Sequence, residues 1–240
     1  MNNNVAVKLA ASTLVLGITM VGCTTSPGMY RQAAISSSAP QAEQEAASLY
    51  ETAREALRQG RLSDALAHGE SAVALAPRDV GYRMLLGDLY LKSGRFQSAA
   101  TTFGDVLTLD PGNERATLSL ALSQIALGKT YAATAHLDRL SETATPGDVG
   151  LAYALAGRPE HAIALLEPAA RAPGADARVR QNLALAYALA GDWLKARTTA
   201  AQDVSPAHLS ERMEKWAAFA NPAASWTQVA GLLGVTPVAD

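Results

Sequence analysis

The sequence predicts an all-α solenoid of about five helix–turn–helix units, closed by one or two C-terminal capping helices. Three observations carry this expectation. The 240 residues are 49% hydrophobic but only 5% aromatic, and 50 of them are alanine. Alanine is the best helix former, and its small side chain lets helices approach closely. A β-sandwich or barrel would need more Val, Ile, Tyr and Trp. Second, five Ala/Leu-rich segments end in Gly60, Gly94, Gly128, Gly157 and Gly191, spaced by 34, 34, 29 and 34 residues. Third, an alanine follows each glycine five positions later, at Ala65, Ala99, Ala133, Ala162 and Ala196. A fixed period of this length is the signature of stacked supersecondary units.

Residues 1–22 read as a signal peptide, set aside before fold reasoning. Lys8 is followed by an apolar run from Leu9 to Gly22. Fourteen helical residues rise about 21 Å, short of a roughly 30 Å hydrocarbon core. The only cysteine, Cys23, closes the string Met20-Val21-Gly22-Cys23, which resembles a bacterial lipoprotein signal. That resemblance implies lipid attachment at Cys23. Thr24 behind it implies outer-membrane sorting in a Gram-negative cell, on the periplasmic face. The other reading is an ordinary secreted protein with a cysteine at that place. Residues 23–45 are Ser-, Pro-, Ala- and Gln-rich without helical periodicity, and read as a flexible tether.

Residues 46–204 hold the repeats, divided as 46–79, 80–113, 114–145, 146–176 and 177–204. The second carries Leu86-Gly87-x-x-Tyr90, then Ala99-x-x-x-Phe103, and closes with Asp110-Pro111. This pattern and its 34-residue period are similar to the tetratricopeptide repeat (TPR), with Arg83 where the repeat's tryptophan belongs. The fourth has Gly150, Tyr153 and Ala162; the fifth has Ala184, Tyr187 and Ala196. The third is weakest, with Ala121 followed by Gln124 at the aromatic position. Gly87, Gly150, Ala121 and Ala184 are expected where paired helices cross. The 29-residue interval, through Thr145-Pro146-Gly147, predicts a shortened first helix in the fourth unit. Residues 205–240 are expected to cap the array, starting with Ser205-Pro206 as N-cap and first helical residue. Leu209, Met213, Trp216 and Phe219 then share one helical face.

Several function classes find no support. A net charge of −2 gives no electrostatic footprint for nucleic acid. One cysteine excludes an intramolecular disulfide framework and a cysteine-rich zinc site. Leu127-Gly128-Lys129-Thr130 imitates a phosphate loop, but Ser123 stands where its first glycine is needed and a helix leads in. His68, His136, His161 and His208 lie on separate units without metal-ligand spacing. No nucleophile elbow, zinc-protease motif or converging carboxylate pair occurs, so no catalytic residue, cofactor, metal or small-molecule substrate is expected.

What remains is a protein-binding groove lined by the first helices of the units. The phase that places Gly87 and Tyr90 turns Tyr50, Arg54, Met84, Asp88, Leu91, Leu118, Leu122, Ile125, Leu151, Leu155, Gln181 and Leu185 inward. An apolar strip rimmed by charge suits an amphipathic helix or extended apolar segment. The alternative is that the C-terminal helices or a neighbouring copy fill it.

The phrase Gln181-Asn182-Leu183-Ala184-Leu185-Ala186-Tyr187-Ala188-Leu189-Ala190-Gly191-Asp192, with Lys195-Ala196-Arg197 and Asp203-Val204-Ser205-Pro206, resembles the TadD family of Flp/Tad pilus assembly lipoproteins. That resemblance implies a non-enzymatic, pilotin-like role in assembling the outer-membrane secretin of the pilus. A general periplasmic scaffold for outer-membrane protein assembly or peptidoglycan machinery would carry the same repeats and anchor.

Overall fold

A computed structural model describes residues 28–220 and 226–240, with side chains at 39–220 and 227–240. The signal peptide and Cys23 lie outside the described residues. The chain divides into two compact units, 1–39 and 40–240, and the repeats belong to the second. Among the described residues there are helices and no strands. Helix α1 (Gly28–Arg58) begins within the segment read as a tether and holds Pro40 inside it. The others are α2 (Leu62–Leu75), α3 (Val80–Lys92), α4 (Phe96–Leu109), α5 (Glu114–Ala126), α6 (Thr130–Leu140), α7 (Pro146–Leu155), α8 (Pro159–Arg171), α9 (Ala177–Leu189), α10 (Trp193–Ala200), α11 (Pro206–Ala220) and α12 (Trp226–Leu233).

Each helix pair turns on one of the five periodic glycines, with φ between 72° and 82°. This left-handed backbone costs an L-residue about 1–2 kcal/mol. The turns bond alike. The N–H after each glycine donates to a carbonyl five residues back: Arg61 to Ala56, Arg95 to Tyr90, Lys129 to Gln124, Arg158 to Tyr153 and Asp192 to Tyr187, at 2.8–2.9 Å. The last-turn carbonyls are thereby satisfied in a Schellman arrangement. Most of the inter-repeat loops then start the next helix with a side-chain cap. Asp79, Asn113 and Asp176 accept from the N–H groups of Tyr82, Ala116 and Val179 at 2.8–2.9 Å.

Packing follows the repeat. Ala65, Ala99, Ala133, Ala162 and Ala196 are all 0% exposed. At the crossings, a Cβ on Gly87 would lie 2.6 Å from the Phe103 ring, and one on Gly150 would lie 2.5 Å from Leu166 Cγ. The large partner demands the absent side chain. Where the partner is smaller, as Ala200 is in the fifth repeat, alanine is accommodated at residue 184 and Leu209 of α11 joins the cluster. From α2 to α11 consecutive helices pack in order, and the first helices stack as α3 on α5, α5 on α7 and α7 on α9.

The shortened fourth repeat is present: α7 has 10 residues where α3, α5 and α9 each have 13. Asn182 Nδ2 of α9 donates to the Gly147 carbonyl at 3.0 Å. Gly147 leaves just enough room, since a Cβ there would lie 3.3 Å from Val179. Helix α11 starts at Pro206, and Ser205 Oγ pairs with His208 Nδ1 at 2.8 Å. It covers the last repeat by packing against α9 and α10, with Met213 and Trp216 beside Leu209.

Candidate functional site: the concave face

The residues read from the phase as inward lie on the first helices of the pairs. Met84, Leu91, Ile125, Leu155 and Leu185 are buried, at 0–9% exposure. Leu118, Leu122 and Leu151 are half-buried and pack against the main core. They form the apolar centre of the face, on α5 and α7. Towards the first repeat the character changes. Tyr50 stacks on Tyr82 with ring centroids 4.8 Å apart, and the exposed Arg54 lies 5.5 Å over the Tyr50 ring. Asp88 is paired with Arg115 of the next repeat. Burial pushes its carboxyl above the ordinary range, against the pull of Arg115 and Lys92.

At the other end, α11 takes up the inward side chains. Gln181 Oε1 accepts from Arg212 at 3.3 Å, and Leu185 lines a cleft of about 410 Å³ with Arg212, Trp216, Phe219 and Leu232. The centre is also partly covered, because α12 lies against α5 and α7. So the twelve inward residues do not form one continuous open groove. The half-buried leucines of the centre are Leu118, Leu122 and Leu151.

Two side-chain ladders link neighbouring elements, and the phase of the sequence gives one partner of each but not the other. In three repeats the tyrosine hydroxyl donates to a carboxylate on the preceding second helix. Tyr90 reaches Glu70 at 3.0 Å, Tyr153 reaches Asp138 at 2.6 Å, and Tyr187 is bonded to Glu167. Burial, with that hydrogen bond to an acid, pushes each phenol up to about 12. The bond from Tyr187 in turn holds Glu167 below the usual carboxylate range. In the third repeat Gln124 takes the tyrosine's place and Gly104 the acid's. Gln124 Oε1 is buried there without a hydrogen-bond partner.

The second ladder uses arginine in the missing tryptophan's slot. Arg83 donates to the Pro77 carbonyl at 2.7 Å and to Asp105 at 2.6 Å. Arg180, eleven residues before Gly191 as Arg83 is before Gly94, donates to the Ala175 carbonyl at 2.6 Å and to Asp203 at 2.9 Å. Each clamps its helix to the preceding loop and to a following element. Arginine at a common distance from two turn glycines was the available signal.

The imitation phosphate loop is a repeat turn: Gly128 has φ 72° and Lys129 Nζ donates to Gln97 at 3.0 Å. Among the described residues, no three metal-ligating side chains are placed to hold an ion, and no helix is long and apolar enough to cross a membrane.

Tetratricopeptide-repeat family models match residues 50–114 and 90–155. Residues 50–155 therefore carry tetratricopeptide repeats, and the fold is the corresponding α-solenoid. Solved structures share the fold. The type IV pilus biogenesis factor PilW superposes with a TM-score of 0.58 at 18% identity, over 78% of this chain and 91% of that one. TTC0263 of Thermus thermophilus gives 0.56 at 21% identity, over 71% and 98%. YrrB, described as having an unusual peptide-binding site, gives 0.53 at 17% identity, over 78% and 98%. No curated protein sequence matches this chain.

Proposed function

We propose that this protein is a non-enzymatic interaction lipoprotein, tethered through Cys23 to the periplasmic face of the outer membrane of a Gram-negative bacterium. In this reading it assists assembly of an Flp/Tad pilus by holding an apolar segment of the pilus secretin or a neighbouring component. The observation that carries the binding role is the half-buried apolar centre of this face, Leu118, Leu122 and Leu151, set between charged ends. Half-buried leucines on adjacent first helices offer an apolar helix or strand a contact that water does not. The pilus assignment is supported by the resemblance of residues 181–206 to TadD proteins, and PilW, of the same fold, is described as a type IV pilus biogenesis factor. A general envelope-biogenesis scaffold is the second reading, favoured because the repeats themselves carry no partner specificity.

Affinity purification of the tagged full chain from detergent-solubilised envelopes tests the choice. Recovery of the pilus secretin or its assembly factors is expected. Recovery instead of outer-membrane assembly or peptidoglycan proteins would overturn the pilus reading in favour of the second.

A further inference from the structure

The segment behind α11 does not add another repeat. Helix α12 lies against α5 and α7, and its Val229 and Ala230, 2% and 4% exposed, join the main core. Gly234, at φ 66°, follows the helix, and the chain then runs without regular structure to the turn of the second repeat. There the Val238 N–H donates to the Gly94 carbonyl at 3.0 Å, and Asp240 Oδ2 accepts from the Ser98 N–H at 2.9 Å. Ser98 is in the first turn of α4, whose own N-cap residue Arg95 supplies no side-chain cap. A carboxylate delivered from 142 residues away therefore satisfies a free donor at a helix N-terminus, where negative charge is favoured.

The seat is specific to one turn. A Cβ on Gly94 would collide with the Thr236 carbonyl oxygen and lie 3.0 Å from its carbon and 3.4 Å from Pro237 Cα. At Gly60, Gly128, Gly157 and Gly191 a Cβ would meet nothing within 4 Å. The segment is only partly buried: Leu232, Leu233 and Val238 remain 47%, 42% and 51% exposed beside the buried Val229 and Ala230.

We propose that residues 226–240 are a displaceable internal ligand of the concave face. They occupy the surface over α5 and α7 and compete with an external chain of the same chemistry. Such a chain is a short apolar helix with adjacent small aliphatic side chains, followed by an extended stretch that places a carboxylate at the N-terminus of α4. The proposal shares the binding face with the functional reading above but needs no pilus partner.

Hydrogen exchange of the full chain compares Gly94→Ala with Gly128→Ala. Both place alanine in the same left-handed turn, with φ 74° and 72°, and only the first strikes the segment. Amides 229–238 are expected to exchange about tenfold faster in Gly94→Ala, with Gly128→Ala unchanged from wild type. Equal rates in the two variants would overturn the proposal. Protection that grows with protein concentration would assign the seat to a second copy and overturn it too. A second variant, Val229→Asp, weakens the ligand and leaves the seat intact. A fluorescently labelled synthetic peptide of residues 226–240 should bind it about tenfold tighter than wild type, because occupancy lowers apparent affinity. Identical anisotropy titrations would refute the competition. Neither readout involves secretin capture, so failure of the pilus reading leaves this result standing.

Discussion

Gly150→Ala should destabilise the protein although it puts a better helix former into a helix. Residue 150 lies inside α7, so the exchange alone contributes about 0.8–1.0 kcal/mol of stability through helix propensity. Against this, the new Cβ would lie 2.5 Å from Leu166 Cγ and 2.8 Å from both its methyl carbons. Optimal carbon contacts are about 3.5–4.0 Å, so the overlap approaches 1 Å. Leu166 is 0% exposed and has no free direction in which to retreat. Overpacking of this kind costs about 1–3 kcal/mol, leaving a net loss of up to about 2 kcal/mol. Reversible urea unfolding followed by circular dichroism reads the difference. Two controls make the sign decisive. Gly104→Ala, in the interior of α4 with nothing within 4 Å of its Cβ, should stabilise by about 1 kcal/mol. In a Leu166→Ala background, Gly150→Ala should also become stabilising, because the opposing head group is gone and the pair matches Ala184 and Ala200. A stabilised Gly150→Ala in the wild type, or the same sign in both backgrounds, would refute the overpacking.

The tyrosine ladder makes stability sensitive to alkali. Tyr90, Tyr153 and Tyr187 are raised from 10 to about 12 in the folded chain, so their contribution is intact below pH 10 and lost as pH rises through 12. Ultraviolet titration should place these three phenols near 12, and a titration near 10 would contradict the ladder. Tyr153→Phe, which removes the 2.6 Å bond to Asp138, should cost about 1 kcal/mol in urea unfolding at neutral pH. Cys23→Ala should abolish metabolic labelling with a fatty-acid probe and release the protein from envelopes; persistent acylation would refute the anchor. Leu122→Glu should weaken capture of the envelope partner about tenfold while leaving helical circular dichroism unchanged. Undiminished capture would move the site away from the middle of the concave face.

Much of the architecture was legible because a repeat writes each contact several times. The five turn glycines and five buried alanines could be assigned from phase alone, since each unit meets its neighbours through equivalent positions. The shortened fourth unit was readable for the same reason, as a break in the period at Thr145-Pro146-Gly147. The tyrosine–acid and arginine–aspartate ladders were hidden because the phase places each side chain but does not name its partner, 15 to 23 residues away. For Gln181 and Leu185 the C-terminal helices were one of several candidate covers in the sequence, and the fold decided for α11, with Arg212, Trp216 and Phe219.

The sequence by itself determined the solenoid and its turns, because these depend on local period and side-chain size. Only the tertiary structure decided what lies on the first helices. Gly94 and Gly128 occupy the same phase, yet one is pressed against Thr236 and the other is open. Nothing periodic relates α12 to α5 and α7, so its place follows from a non-local fit: Val229 and Ala230 in the core, and Asp240 at the start of α4.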